Sequence, residues 1–192
     1  WDGSTWSASG DGVHGDVNTL AFDSTGNLYV GGGFGMVSGV PANNIAMWDG
    51  SVWSGLGGGL SGEASVLAFD ATGNLYVGGN FGMAGGMPAN NIAMWNGSTW
   101  NPLGDGVNET VMSLVFDSIG DLYVGGWFTA AGGASSDRMA RWDGSMWNPL
   151  GDGIEGSSYQ GSVSSMVFDQ GSSDLYVAGE FNYLRGSEGL MT

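Results

Sequence analysis

Short apolar runs alternate with turn residues along this chain, and the alternation itself recurs. Trp1, Trp48, Trp95 and Trp142 stand 47 residues apart, and each opens a near-copy of one segment. A period in this range marks a repeat architecture in which each copy is one small structural unit. In the second copy four runs have strand character, at 65–69, 74–79, 91–95 and 98–103. Each is short, rich in β-branched or aromatic residues, and bounded by turn residues. The first run of each copy is apolar on both faces, as in Leu114, Val115 and Phe116. That pattern fits a strand sandwiched between neighbours, not one with a wet face.

The turns complete the unit. Asp70-Ala71-Thr72-Gly73-Asn74 joins the first two strands and recurs at 23–27, 117–121 and, one residue longer, 169–174. A leading Asp accepts backbone N–H bonds and the Gly takes positive φ. Trp95-Asn96-Gly97-Ser98 joins the third and fourth strands, with Asp-Gly at the same place in the other copies. The dipeptide predicts a type I′ hairpin.

Four antiparallel strands joined in sequence make a twisted sheet that cannot bury both faces alone, whereas stacked sheets can. The expected fold is all-β, a β-propeller of four-stranded antiparallel blades built from four ~47-residue repeats starting near residues 1, 48, 95 and 142. One coil of a parallel β-helix is much shorter than this period. Residues 1–192 read as a single propeller domain or a fragment of one. The chain opens with a lone fourth strand near 5–8 and closes on a pair of strands, with 190–192 as a shortened third. The N-terminal strand completing the last blade would give a closed four-bladed ring; the alternative is an arc of a larger propeller.

The unit F-D-x-x-G-[ND]-L-Y-V-G-G-x-F followed by I-A-x-W-[DN]-G resembles the repeats of secreted bacterial β-propeller proteins. Its D-x-x-G-N-x-Y-V core is similar to NHL and SBBP-type repeats, and the likeness runs from Trp1 to Phe181. The W-D-G element differs in context from the dipeptide of WD repeats, since here it forms a hairpin tip. The resemblance implies an extracellular or cell-surface setting without catalysis, and speaks to fold more than to function.

Composition narrows the partners. There are 19 acidic residues against three Arg and no Lys, a net charge of -16. A nucleic-acid-binding surface is cationic, so nucleic acid is not an expected partner. No run of 18 apolar residues is present to insert into a membrane. Without cysteine there are no disulfides and no thiolate metal site. The chain opens in mid-repeat without an initiator Met or a signal peptide, which suggests a segment of a longer protein. The partners expected are a protein or glycan at a cell surface, or further copies in self-assembly.

Residues shared by every copy read as architecture, so function is sought among those that break the pattern. All eight Phe, eight of nine Trp and four of six Tyr recur. Trp127, Tyr159 and Tyr183 fall outside the repeat and are the candidate ligand-binding residues, with carbohydrate the ligand that exposed aromatics suit. The short turns share one face of the expected ring, and the longer connections share the other. Loops on a rigid scaffold are the usual seat of binding, so recognition is expected on the long-loop face. That face is acidic. Asp11, Asp16, Glu63, Asp105, Glu109, Asp152 and Glu155 occupy blade-to-blade loops and are candidate ligands for Ca²⁺, an oxygen-seeking ion. No other cofactor is implied. Arg138 and Arg141 read as covering apolar surface, or with Arg185 as an anion site. Two sequons place candidate glycosylation sites at Asn96 and Asn108.

Catalysis finds little footing. His14 is the single His, which makes no triad and no zinc site. Paired carboxylates in a glycosidase fragment remain the enzymatic alternative. The reading is a non-enzymatic extracellular propeller acting as a structural or adhesive module of a surface or fibre protein, with a carbohydrate-binding propeller as the alternative.

Overall fold

A computed structural model describes residues 3–150, 154–155, 161–169, 171–181 and 183–184. Among these every regular element is a strand. The first unit holds β1 (Val13–Phe22), β2 (Leu28–Val37), β3 (Val40–Pro41), β4 (Ile45–Trp48) and β5 (Trp53–Gly55). The second holds β6 (Glu63–Phe69), β7 (Leu75–Asn80), β8 (Met83–Ala84), β9 (Met87–Pro88), β10 (Ile92–Trp95) and β11 (Trp100–Pro102). The third repeats this with β12 (Val111–Phe116), β13 (Leu122–Gly126), β14 (Ala130–Ala131), β15 (Ala134–Ser135), β16 (Met139–Trp142) and β17 (Trp147–Pro149). The fourth contributes β18 (Ile154–Glu155), β19 (Ser162–Asp169), β20 (Asp174–Glu180) and β21 (Tyr183–Leu184).

The large sheets are antiparallel meanders: β1-β2-β4-β5, β6-β7-β10-β11 and β12-β13-β16-β17, followed by the pair β19-β20. Registers match from unit to unit. Leu20 pairs with Val30, Leu67 with Val77, Leu114 with Val124 and Met166 with Val177. The sheets stack face to face, with β6 against β1 and β2, β12 against β6 and β7, and β19 against β12 and β13. The core therefore lies between sheets. Ala21, Tyr29 and Met47 of the first sheet meet Ala64, Leu67 and Leu75 of the second. Val66, Tyr76 and Met94 meet Val111, Leu114 and Leu122. Val115 and Tyr123 meet Val163, Met166 and Val177. Both faces of an internal sheet are dry, which is why its first strand has no polar alternation.

The shared aromatics hold this stack. Tyr29 meets Phe69 edge-on with centroids 5.1 Å apart, Tyr76 meets Phe116 at 5.1 Å, and Tyr123 meets Phe168 at 5.0 Å. Within each sheet two Trp face each other across the third and fourth strands, at 5.3 Å in Trp48–Trp53, Trp95–Trp100 and Trp142–Trp147. The second of each pair donates its indole N–H to a carbonyl 44 residues earlier: Trp53 to Ser9, Trp100 to Leu56 and Trp147 to Leu103, each at 2.8 Å. A buried indole N–H needs such a partner.

Several expectations change. Residues 5–8 form no strand, and Trp6 is largely exposed; residues 190–192 lie outside the described residues. Leu20 and Phe22 on the outer face of the first sheet, and Val167 and Tyr176 on that of the last pair, face solvent. The described residues thus form an open row of sheets, not the closed ring. The hairpin tips are not type I′, which requires positive φ at both central residues. Only the glycine is positive, Gly50 at 97° and Gly97 at 93°, because the Asp49 and Asn96 side chains accept the N–H groups two and three residues on. The second-to-third connections also carry small hairpins, β8-β9 and β14-β15, that no apolar run announced.

Candidate functional site

The site grows from one backbone position. At the end of the second-to-third connection, Asn44, Asn91 and Arg138 occupy equivalent places and share positive φ, at 64°, 62° and 67°. Asn tolerates this conformation better than other side chains with a Cβ. Asn44 accepts the Phe34 N–H at 3.2 Å and donates to the Leu60 carbonyl at 2.9 Å. Asn91 repeats this with Phe81 and Val107. Arg138 cannot. It donates instead from Nη1 to the Trp127 carbonyl at 2.5 Å, and its buried Nε finds no partner among the described residues. An Arg held in the left-handed region at a cost of about 1–2 kcal/mol marks this unit as different.

Trp127 is the second departure, and it is next to the first. It follows β13, where the sister units have Gly33 and Asn80, and the residue is 56% exposed. With Asn108, Glu109, Thr129, Arg138 and Glu180 it lines a cleft of about 560 Å³ between the third sheet and the last pair. The cleft combines one aromatic face, one cation, two carboxylates and amide and hydroxyl groups. That is the mixture a polar, ring-shaped ligand such as a sugar uses. The equivalent cleft between the first two sheets, about 680 Å³, has Gly33, Asn44, Ser61 and Glu63, and its one aromatic, Phe34, is buried instead of exposed.

Of the three aromatic candidates Trp127 lines this cleft. Tyr183 is in β21, where its backbone pairs with Glu155, and Tyr159 lies outside the described residues. The acidic candidates are dispersed. Asp16 lies within β1, not in a loop, and pairs with Gly33. The Asp11 N–H is held by Ser38 at 2.9 Å. Glu63 opens β6, Asp105 lends its carbonyl to Asn90 at 3.0 Å, and Glu109 faces the Trp127 cleft. Glu155 is in β18 and Asp152 lies outside the described residues. Among the described residues no three acidic or His side chains gather around one point. The two described Arg, Arg138 and Arg141, do not share a site. Arg141 pairs with Asp121 at 3.0 Å on the short-turn face, Arg138 lies in the cleft, and Arg185 is outside the described residues.

Both sequon amides are engaged. The Asn108 side-chain oxygen accepts the Thr129 and Ala130 N–H groups at 2.9 Å, and its nitrogen donates to the Thr129 hydroxyl at 3.0 Å. It replaces Ser61, whose hydroxyl accepts from Gly82 and Met83. Asn96 is at an exposed hairpin tip, with its oxygen accepting from Ser98 and Thr99.

The turn aspartates are caps. Asp70 accepts the Thr72 N–H at 2.9 Å, the Asn74 N–H at 2.8 Å and the Asn74 amide at 2.8 Å, and Asp23 does the same one unit earlier. Burial alone would raise the Asp70 carboxyl, but the bonds from Asn74 and Thr72 outweigh it and hold the group below its ordinary 3.8. Exposed Asp143 is lowered by the Met146 N–H, the Ser145 hydroxyl and the Asn148 amide. These groups are occupied by the turn, and none of them lines the cleft.

Reading the copies side by side for aromatics alone finds Trp127 but misses Arg138. The signal was present, since Asn gives way to Arg at the same repeat position. What sequence could not show is that residues 127 and 138 meet.

No protein-family model matches the sequence, and no curated protein sequence matches it. Solved structures similar in shape include two from bacteria. The extracellular domain of BT4673 from B. thetaiotaomicron matches over 86% of this chain and 20% of its own length, with TM-score 0.56 and 13% identity. PorZ, a bacterial surface component of the type-IX secretion system of Porphyromonas gingivalis, matches over 85% of this chain and 24% of its own, with TM-score 0.53 and 17% identity. The likeness is one of fold. This chain spans about a fifth to a quarter of the length of either structure.

Proposed function

We propose that this chain is an arc of β-propeller blades belonging to a bacterial protein of the cell surface or exterior, where it acts without catalysis as a structural and adhesive module. The repeat resemblance to secreted propellers and the surface setting of both structural neighbours support that location. One observation carries the structural role: at the internal junctions the recurring side chains are engaged in building the stack. The Trp–Trp pairs, the indole bonds to the preceding linker, the Tyr–Phe contacts and the Asp caps repeat with nearly constant geometry from unit to unit. What remains for recognition is the long-connection side. The test is incubation of the purified chain with a panel of surface polysaccharides. The proposal expects no released sugar; release of reducing ends would overturn it in favour of a glycosidase.

A second reading concerns carbohydrate binding in the Trp127 cleft. It rests on exposed Trp127 beside Arg138, both departures from the repeat. Sugar–aromatic stacking loses most of its contact area when the ring is removed. Trp127→Ala is expected to weaken any glycan-array binding at least ~10-fold while leaving the thermal midpoint within a few degrees. Binding unaffected by that change would remove the cleft from the account.

A further inference from the structure

Each sheet has an outgoing and an incoming face, and the internal junctions show how they fit. The outgoing Tyr of one sheet packs on the incoming Phe of the next, as Tyr29 on Phe69, Tyr76 on Phe116 and Tyr123 on Phe168. A second-strand glycine on the outgoing face admits an incoming side chain: Gly31 admits Ala64, Gly78 admits Val111 and Gly125 admits Val163. A hydrogen bond crosses the last junction, from the Met166 N–H to the buried Ser113 hydroxyl at 2.9 Å.

The same two faces are left open at the ends of the row. On the incoming side, Val17, Leu20 and Phe22 are 45%, 61% and 67% exposed, whereas Ala64 and Leu67 in the same places are 0% and 9% exposed. A groove of about 360 Å³ runs there over Val17, Leu20, Leu28, Val30 and Trp53. On the outgoing side, Val167 and Tyr176 are 60% and 58% exposed, whereas Tyr29 is 8% exposed. Tyr176 and Phe22 are thus the two halves of a contact the chain makes three times internally. The two apolar faces lie at opposite ends of the row.

We infer that a second copy of this chain docks head to tail, the outgoing β19-β20 face of one copy on the incoming β1-β2 face of the next. Tyr176 takes the place of Tyr123 against Phe22, and Val167 enters the groove over Leu20 and Leu28. A heterologous contact of this kind builds a ring when the rotation closes and a filament when it does not. Two features set its strength. The net charge of -16 makes copies repel, so added salt tightens the contact. Ala178 stands where the internal sheets have Gly31, Gly78 and Gly125, and its methyl meets Val17, so this junction is weaker than the internal ones. The inference deepens the structural-module reading by naming its partner, and rests on the stack, not on the cell-surface location.

The test is sedimentation equilibrium of the 192-residue chain over a range of concentrations and salt. Reversible association that strengthens with salt is expected. Tyr176→Asp and Phe22→Asp should each stop growth, because each removes one face. Mixed together they should form a dimer and nothing larger, since each keeps the face the other lacks. Ala178→Gly should tighten association about 10-fold. A chain monomeric at every concentration, a mixture as monomeric as its parts, or an Ala178→Gly variant that associates no better would overturn the inference. Where Tyr176→Asp loses its near-ultraviolet dichroism on unfolding, the Ala178→Gly comparison decides alone. A monomeric result would leave the polysaccharide test of the module untouched.

Discussion

A single glycine in the second strand decides how closely two sheets approach. A Cβ on Gly125 would lie 2.5 Å from Val163 Cγ1, and one on Gly78 would collide with Val111. Gly78→Ala is therefore expected to destabilise the chain by ~1–3 kcal/mol through overpacking, read as a lower urea midpoint at unchanged slope. The opposite outcome is expected at Arg138. Asn there would take the roles of Asn44 and Asn91 and relieve the left-handed strain, so Arg138→Asn should stabilise by ~1–2 kcal/mol. A loss of stability would mean that the Arg138–Trp127 bond matters more than the strain. At this scale the sequence was informative for shared residues. Recurring Trp, Phe and Tyr pack wherever a sheet has a neighbour, while Trp6, Phe22 and Tyr176 are exposed. It was uninformative for Arg138, because a charged residue near an apolar run looks like a surface cover until the backbone conformation is known.

The short turns and hairpins carry the pH dependence. The Asp70 carboxylate titrates below 3.8 because the folded turn donates bonds to its charged form. A depressed folded pKa contributes stability that is fully present above the unfolded value and is lost as pH falls through the folded one. Asp23, Asp49, Asp143 and Asp169 shift the same way. The stability gap between the parent chain and Asp70→Ala should thus be constant from pH 7 to about 4.5 and shrink below about 3.8. A gap that widens with acid would contradict the cap. The Asp-x-x-Gly-Asn signature made these turns legible, since its chemistry is local. The hairpin type was not, because side-chain capping replaced the second positive φ. The β8-β9 and β14-β15 hairpins were not legible either. Two-residue strands such as Met87–Pro88 offer no periodicity, and they form because they bridge to the preceding linker at Leu60 and Val107.

For the whole molecule, the 47-residue period is what made the stacked sheets readable. Strands apolar on both faces require neighbours on both sides, and the internal sheets have them. Whether the row closes was not readable, because closure depends on the angle between successive sheets, which no local pattern encodes. The neighbouring structures share the stacked-sheet shape over most of this chain at 13% and 17% identity. A fold can persist at such identities because the stack needs apolar volume at given positions more than particular side chains.

The four repeat tyrosines offer the most direct test of this account. Tyr29, Tyr76 and Tyr123 are pushed up in pKa chiefly by burial, with the nearby Asp23, Asp70 or Asp117 carboxylate adding to it. Tyr176 holds the same repeat position but faces solvent. Nitration of dilute protein, mapped by peptide mass spectrometry, should modify Tyr176 fastest and Tyr29 slowest. Equal rates at all four, or a protected Tyr176 beside a reactive Tyr76, would contradict the open row of face-packed sheets.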